Sequence, residues 1–258
     1  MDPVGTGAAG TPAGRREDCW GRPPDVNLLV LDTSTNRAAL AVVRADGPAL
    51  GASPDPSARH GRALVPALHA LLAGAGLAVA DLDGLAVGLG PGSYTGLRIG
   101  LTAAKTLAYA LGKPLVGFDS LEAVAGNAAP DALQVAVIAD AQRRDVYAAD
   151  FAREAPGAAL TRTAPTRIVP FDRWSAGLTA GAFVLGPALS VGRISEAVPA
   201  HARRPDDPGA DWPDPRRLAD LARETWLSGR RDDPWFLEPV YLRRSAAEEQ
   251  WDRKAGGP

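Results

Sequence analysis

From position 27 onward, short apolar runs alternate with polar turns in a pattern that predicts mixed α/β structure. In NLLVLDTSTNRAALAVV, two apolar runs at 28–31 and 38–43 flank a polar Asp-Thr-Ser-Thr-Asn turn, as in a β-hairpin, and Asp46-Gly47 then turns the chain into a third strand. Leu64, Val65, Leu68, Leu71 and Leu72 recur at helical spacing over 60–74 before a glycine stop. LDGLAVGLG reads as a short buried strand, GLRIGLTAAKTLAYALG as a helix over 96–112 ended by Gly112, and KPLVGF as another strand. DSLEAVAGNA follows as a helix, with Asp119 and Glu122 at capping-box spacing.

The second half repeats the theme. QVAVIADAQRRDVYAADF is strand, charged turn, strand, and FVLGPAL is a strand running into a Gly-Pro turn. DPRRLADLARETWLSG is a helix with Asp214 as N-cap, Pro215 at its first position and Gly229 as stop. Two halves that each open on a hairpin and continue α/β predict a duplicated architecture. The predicted organisation is a disordered tail over 1–26, one lobe over 27–130, a second over 131–245 and a tail over 246–258.

Composition narrows the functional classes. Of 258 residues, 46% are hydrophobic and 22% charged, ordinary for a folded domain, and a net charge of −2 gives no global pull toward nucleic acid or anionic membrane. The arginine pairs, Arg143-Arg144 among them, read as solvated surface. A lone cysteine, Cys19, excludes an internal disulfide and a Cys-based zinc site. The opening 25 residues lack the apolar core of a secretory signal, and no run has the length to span a bilayer, so a cytoplasmic protein is expected.

The candidate chemistry centres on GLGPGSYTGLRIG, 88–100. Gly96 is followed by Leu97-Arg98 rather than the Lys-Ser/Thr of a Walker loop. Position 93 is Ser where a dinucleotide fingerprint needs Gly, and Pro91 occupies the glycine position of a nucleophile elbow. A strand, a Gly-rich turn and a helix N-terminus still form a shape able to hold an anion on backbone amides. The phosphate-loop candidates are Asp32, Thr33, Ser34, Gly90, Gly92, Ser93 and Thr95. Asp32 and Asp140 stand at strand-end turns, where an actin-like ATPase places metal-facing carboxylates and where aspartate also caps its own turn. His60 and His69, nine residues apart, fall on opposite sides of a helix and cannot share an ion, and no H-E-x-x-H pair exists, which argues against a zinc hydrolase.

After the loop, Gly96, Gly100, Ala104, Ala108 and Gly112 form a small-residue ridge. Glycine inside a helix costs about 1 kcal/mol relative to alanine, so Gly100 needs a compensating close approach. The ridge packs either on this chain's own sheet or on another subunit, and periodicity does not separate the two.

LLVLDTSTNRAALAVV, GLGPGSYTGLRIGLTAAKTLAYALGKPLVGFDSLEAVA, VIADAQRRDVY and PVYLRR together resemble the TsaB (YeaZ) family, over about 27–245 and in the right order. The resemblance implies an actin/Hsp70-like (ASKHA) fold, α/β in class, of two related lobes with mixed sheets. It implies a non-catalytic subunit of the machinery that places threonylcarbamoyl on the adenosine next to the anticodon of tRNA. The implied partners are TsaD as a heterodimer, the TsaE ATPase within the complex, a second copy when TsaD is absent, and tRNA only indirectly. TsaD carries a metal-binding histidine pair that this sequence lacks, and Pro187 follows Gly186 where active relatives tend to have consecutive glycines. No catalytic residue, metal or cofactor is therefore expected, with weak ATP or ADP binding left open. The family's contact helices map onto 60–74 and 96–112, so the interface expected is Leu64, Leu68, Leu71, Gly96, Leu97, Gly100, Leu101, Ala104 and Ala108. The competing reading is an actin-like ATPase or kinase using Asp32 and the 90–95 loop.

Overall fold

A computed structural model describes residues 26–55, 60–243 and 251. The expected tails and Cys19 lie outside the described residues, apart from Val26 and Trp251. The chain runs β1 (Leu28–Asp32), β2 (Ala39–Val43), β3 (Leu50–Ala52), α1 (His60–Ala75), β4 (Gly84–Gly88), α2 (Tyr94–Leu111), β5 (Leu115–Phe118) and α3 (Ser120–Ala125). It continues through β6 (Gln134–Asp140), β7 (Asp145–Ala152), β8 (Thr161–Arg162), β9 (Arg167–Pro170), α4 (Phe171–Ala176), β10 (Phe183–Leu185), α5 (Gly192–Ser195) and α6 (Pro215–Leu227). The first sheet has the order β3-β2-β1-β4-β5, with an antiparallel hairpin on one side and parallel strands on the other.

The second sheet repeats this frame and then decays. β6 and β7 form the hairpin, β9 and β8 pair with β7, and β10 lies parallel to β6. The counterpart of β5 has shrunk to one parallel bridge, Phe183 to Arg203, with Val184 N–H donating to the Arg203 carbonyl at 2.8 Å.

Alternation along the strands sorts residues onto two faces of each sheet. Leu29, Leu31, Leu40, Leu85 and Val87 face α1 and α2, while Leu28, Val30, Ala41, Ala86 and Val116 face Leu218, Ala219 and Ala222 of α6. In the second sheet Val135, Val137 and Tyr147 face Leu121, Val124 and Ala125 of α3, and Ala136, Ile138 and Val146 face Phe171 and Trp174 of α4. The lobes thus exchange their last helices. α3, expected in the first lobe, covers the second sheet, and α6, expected in the second, covers the first. The residues after α6 also return to the first sheet, where Leu237 is buried among its side chains and Asp232 accepts the Gly117 amide at 2.7 Å. The 27–130 and 131–245 division therefore follows chain order but not packing. Apolar complementarity in the core overrides proximity in sequence.

Candidate functional site

The two hairpin turns, the 88–96 loop and the C-terminal segment converge on a cleft of about 540 Å³ between the lobes. Ser34, Gly92, Asp140, Gln142, Trp212 and Tyr241 are among the residues lining it. Asp32 and Asp140 hold equivalent places and do the same local work. Asp32 Oδ1 accepts the Ser34 amide at 2.7 Å and Asp140 Oδ1 accepts the Gln142 amide at 2.8 Å, so both carboxylates close their own turns. Asp32 is fully buried, its Oδ2 has no hydrogen-bond partner, and it packs against Gly88 rather than lining the cleft.

The amides of the glycine loop are largely bonded within the chain. Gly90 N–H donates to Ser120 Oγ at 3.0 Å, Ser93 N–H to the Ser34 carbonyl at 2.6 Å, and Gly96 N–H to Ser93 Oγ at 3.2 Å. Ser93 is thus the N-cap of α2. Of the other phosphate-loop candidates, Thr33 is buried under α2, whereas Gly92 and the exposed Thr95 line the cleft.

The second lobe's glycine turn is closed from inside. Gly186 has φ of 129°, and a Cβ there would run into the Ile138 backbone, so only glycine fits. Its N–H donates to Asp211 Oδ1 at 3.0 Å. Asp211 is 5% exposed, and burial pushes its carboxyl above the usual aspartate range, against the pull of the Gly186 amide and Arg204. Burial likewise raises the Tyr147 phenol in the cleft wall.

A strap crosses the cleft mouth, formed by the PVYLR part of the PVYLRR element. Val240 N–H donates to the Leu89 carbonyl at 2.8 Å, the Tyr241 ring lies 5.0 Å from that of Tyr94, and Arg98 Nε donates to Tyr241 Oη at 3.1 Å. Arg243 then pairs with Asp145 and donates to the Gln142 carbonyl, joining the first lobe to the second. The turn it grips is strained, with Gln142, Arg143 and Arg144 all left-handed at φ of 64°, 54° and 69°. The motif was visible in the sequence, but no local signal says that it bridges two lobes.

The nine residues that the resemblance implies for the interface face the interior of this chain. Leu64, Leu68, Leu71, Gly96, Leu97, Gly100, Leu101, Ala104 and Ala108 are all buried within this chain. A Cβ on Gly96 would overlap the Thr33 carbonyl, and one on Gly100 would overlap Thr33 Oγ1, which itself donates to the Gly96 carbonyl at 2.7 Å. The ridge gives the first hairpin turn its close seat on α2, so the close approach that Gly96 and Gly100 require is made within this chain. The same two helices turn a different set outward. Val65 is 68% exposed, and with Gly61, Tyr94, Arg98 and Thr102 it borders a shallow groove between α1 and α2.

No described group of three or more His, Cys, Asp or Glu side chains could hold a metal ion, and no described helix is long and apolar enough to cross a membrane. Two lobes of β-hairpin–α/β order around a common cleft define an actin-like protein. The family profile of TsaD, tRNA N6-adenosine threonylcarbamoyltransferase, matches residues 47–175. The chain is 31% identical to the Bacillus subtilis tRNA threonylcarbamoyladenosine biosynthesis protein TsaB, over 88% of this chain and 98% of that one. It is 35% identical to an uncharacterized protein of Mycobacterium tuberculosis, over 86% of this chain and 93% of the other. The solved structure of YeaZ from Pseudomonas aeruginosa superposes with a TM-score of 0.70 at 28% identity, covering 84% of this chain and all of that one. The chain belongs to the TsaB (YeaZ) family.

Proposed function

We propose that this protein serves tRNA threonylcarbamoyladenosine biosynthesis as a non-catalytic subunit that binds TsaD through the outer face of α1 and α2. The observation that carries the reading is the state of the cleft. The amides of Gly90, Ser93, Gly96 and Gly186, which a nucleotide phosphate would need, are already bonded to groups of this chain. Asp211 sets a buried carboxylate against the second glycine turn, where a phosphate would meet like charge. Asp32 has withdrawn from the cleft surface. The outward face of α1 and α2 remains for recognition, with Val65 exposed on one helix and Tyr94 and Tyr109 on the other. TsaE, and tRNA at one remove, enter this reading through TsaD.

Size exclusion with light scattering tests it on the full chain, alone and mixed with the TsaD of the same organism. A one-to-one complex that Val65→Asp disrupts is expected. The competing reading, an actin-like ATPase or kinase, rests on the retained Asp32 and Asp140 turns flanking the cleft. Failure to bind TsaD, together with tight Mg-ATP binding abolished by Asp32→Asn, would overturn the scaffold in its favour.

A further inference from the structure

Segment 232–243 is fastened to the first lobe at several points before it reaches the second. Asp232 accepts the Gly117 amide at 2.7 Å, Leu237 is buried in the core of the first sheet, and the Val240 amide donates to the Leu89 carbonyl at 2.8 Å. Tyr241 then lies against the first turn of α2, its ring centroid 5.0 Å from that of Tyr94. Arg98, one turn further along α2, closes the cluster. Its guanidinium carbon sits 4.1 Å from the centre of the Tyr94 ring, and its Nε donates to Tyr241 Oη at 3.1 Å. Tyr94 and Arg98 also border the groove between α1 and α2. They belong to two structures at once, the wall of the groove and the seat of the strap.

Two residues beyond Tyr241, Arg243 holds the β6–β7 turn of the second lobe through the Asp145 carboxylate and the Gln142 carbonyl. That turn stores backbone strain. Gln142, Arg143 and Arg144 are three successive non-glycine residues in the left-handed region, a conformation that persists only where neighbours impose it. Within the turn the Gln142 amide donates to Asp140 Oδ1 at 2.8 Å, the Asp145 amide to the Gln142 carbonyl at 2.9 Å and the Ala141 amide to the Asp145 carbonyl at 3.1 Å. Arg243 grips Gln142 and Asp145, the residues through which these bonds pass. A turn held against its own preference by a side chain from another segment has two arrangements, held and relaxed. Such an element is what carries coupling between distant sites.

We propose that the strap is a coupling device: an occupant of the α1–α2 groove fixes Tyr94 and Arg98, seats Tyr241 and Arg243, and so tightens the turn of the second lobe. The occupant is the protein partner read above, so the proposal rests on that reading for its trigger, while the linkage itself is a property of the free chain. Arg98 and Tyr241 are positioning residues in this device and act on the turn through Arg243. Linkage is reciprocal, so loosening the turn must also loosen the strap.

Amide hydrogen exchange on the full chain reads both ends, with the Val240 amide reporting the strap and the Asp145 amide the turn. Arg98→Ala breaks the bond to Tyr241, and Tyr241→Phe removes only the hydroxyl that accepts it. Each should quicken exchange at Val240 and Asp145 on the order of fivefold, as the loss of one hydrogen bond allows, and leave the first hairpin at 28–43 unchanged. If Arg98→Ala loosens the whole chain, Tyr241→Phe decides. In reverse, Arg243→Ala should quicken exchange at Val240, and in that background Arg98→Ala should add nothing at Asp145. Adding the TsaD of the same organism should slow exchange at Val240 and Asp145 in the wild type, but at Val240 alone in Arg243→Ala. Asp145 exchange that ignores both Arg98→Ala and Tyr241→Phe, or effects of Arg98→Ala and Arg243→Ala that add, would overturn the coupling. So would bound TsaD that leaves Asp145 exchange unchanged in the wild type. TsaD that protects Asp145 equally in Arg243→Ala would put the partner on the turn itself and refute transmission through the strap. A chain that binds no TsaD yet shows the variant effects would overturn the docking reading and uphold the linkage.

Discussion

Gly100→Ala is the sharpest probe of the fold around the site. Alanine is the better helix former by about 1 kcal/mol, so an open position would be stabilised. Here a Cβ would come closer than 3.0 Å to Thr33 Oγ1, while Thr33 Cβ and Cγ2 would be at 3.4 and 3.6 Å. One oxygen therefore accounts for the overlap, and that oxygen holds the bond to the Gly96 carbonyl. Overpacking costs about 1–3 kcal/mol and the displaced hydrogen bond about 1 kcal/mol, so after the propensity gain the net loss is about 2 kcal/mol. In a chain of this size that lowers Tm by about 4–8 °C. The assay is thermal unfolding followed by circular dichroism in a double-mutant cycle. Thr33→Ala alone costs about 1 kcal/mol for the lost bond. In that background Gly100→Ala should become stabilising by about 1 kcal/mol, because the colliding atom is gone. Equal destabilisation in both backgrounds would refute the packing argument. A Gly100→Ala protein that melts normally but loses its partner would restore the ridge to an intersubunit role.

Three further outcomes follow from the cleft. Arg144→Gly relieves a left-handed residue whose ion pair with Asp172 is exposed and contributes little, so chemical denaturation should show a gain of about 0.5–1 kcal/mol; a loss would mean that the turn is not strained. Arg243→Ala removes the pairing with Asp145 and the bond to the Gln142 carbonyl, at a cost of about 1–3 kcal/mol, and amide exchange should quicken at 141–145 but not in the first hairpin; uniform exchange would deny the strap its bridging role. Asp211 has a carboxyl pKa raised on folding, so its stabilising contribution is present below the unfolded value and is lost as pH rises through the folded one. Asp211→Asn keeps an acceptor for Gly186, so its Tm advantage over wild type should be largest near neutral pH and shrink toward pH 4; a constant difference would contradict the burial argument.

Much of the fold was legible because its signals are local. The hairpins, the Asp119 and Asp214 caps and the Gly112 stop are set by a few adjacent residues and formed where patterning placed them. α2 begins at Tyr94 behind a Ser93 cap, two residues before the start read from the sequence, and β8, β9, α4 and α5 carried no such signal. Asp119 caps α3 through the Leu121 and Glu122 amides. What escaped was non-local. Nothing in PRRLADLARETWL says which sheet its Leu218–Ala222 face will cover, and the exchange of α3 and α6 follows from packing across the whole chain. The Gly96–Gly100 ridge was correctly read as a close approach, but small residues do not name what approaches. That Thr33 fills the space became visible only with the hairpin turn in position. The vestigial strand at Arg203 carries no strand pattern in sequence because a single bridge requires none.

The central claim is that this chain supports tRNA modification without chemistry of its own. Reconstituted threonylcarbamoyl transfer to tRNA, with TsaD, TsaE and the adenylate-forming enzyme of the same organism, tests it directly. Product formation should require this protein, survive Asp32→Asn and fail with Val65→Asp. Transfer that proceeds equally well without this protein, or that is lost with Asp32→Asn in a normally folded and TsaD-bound chain, would contradict the account.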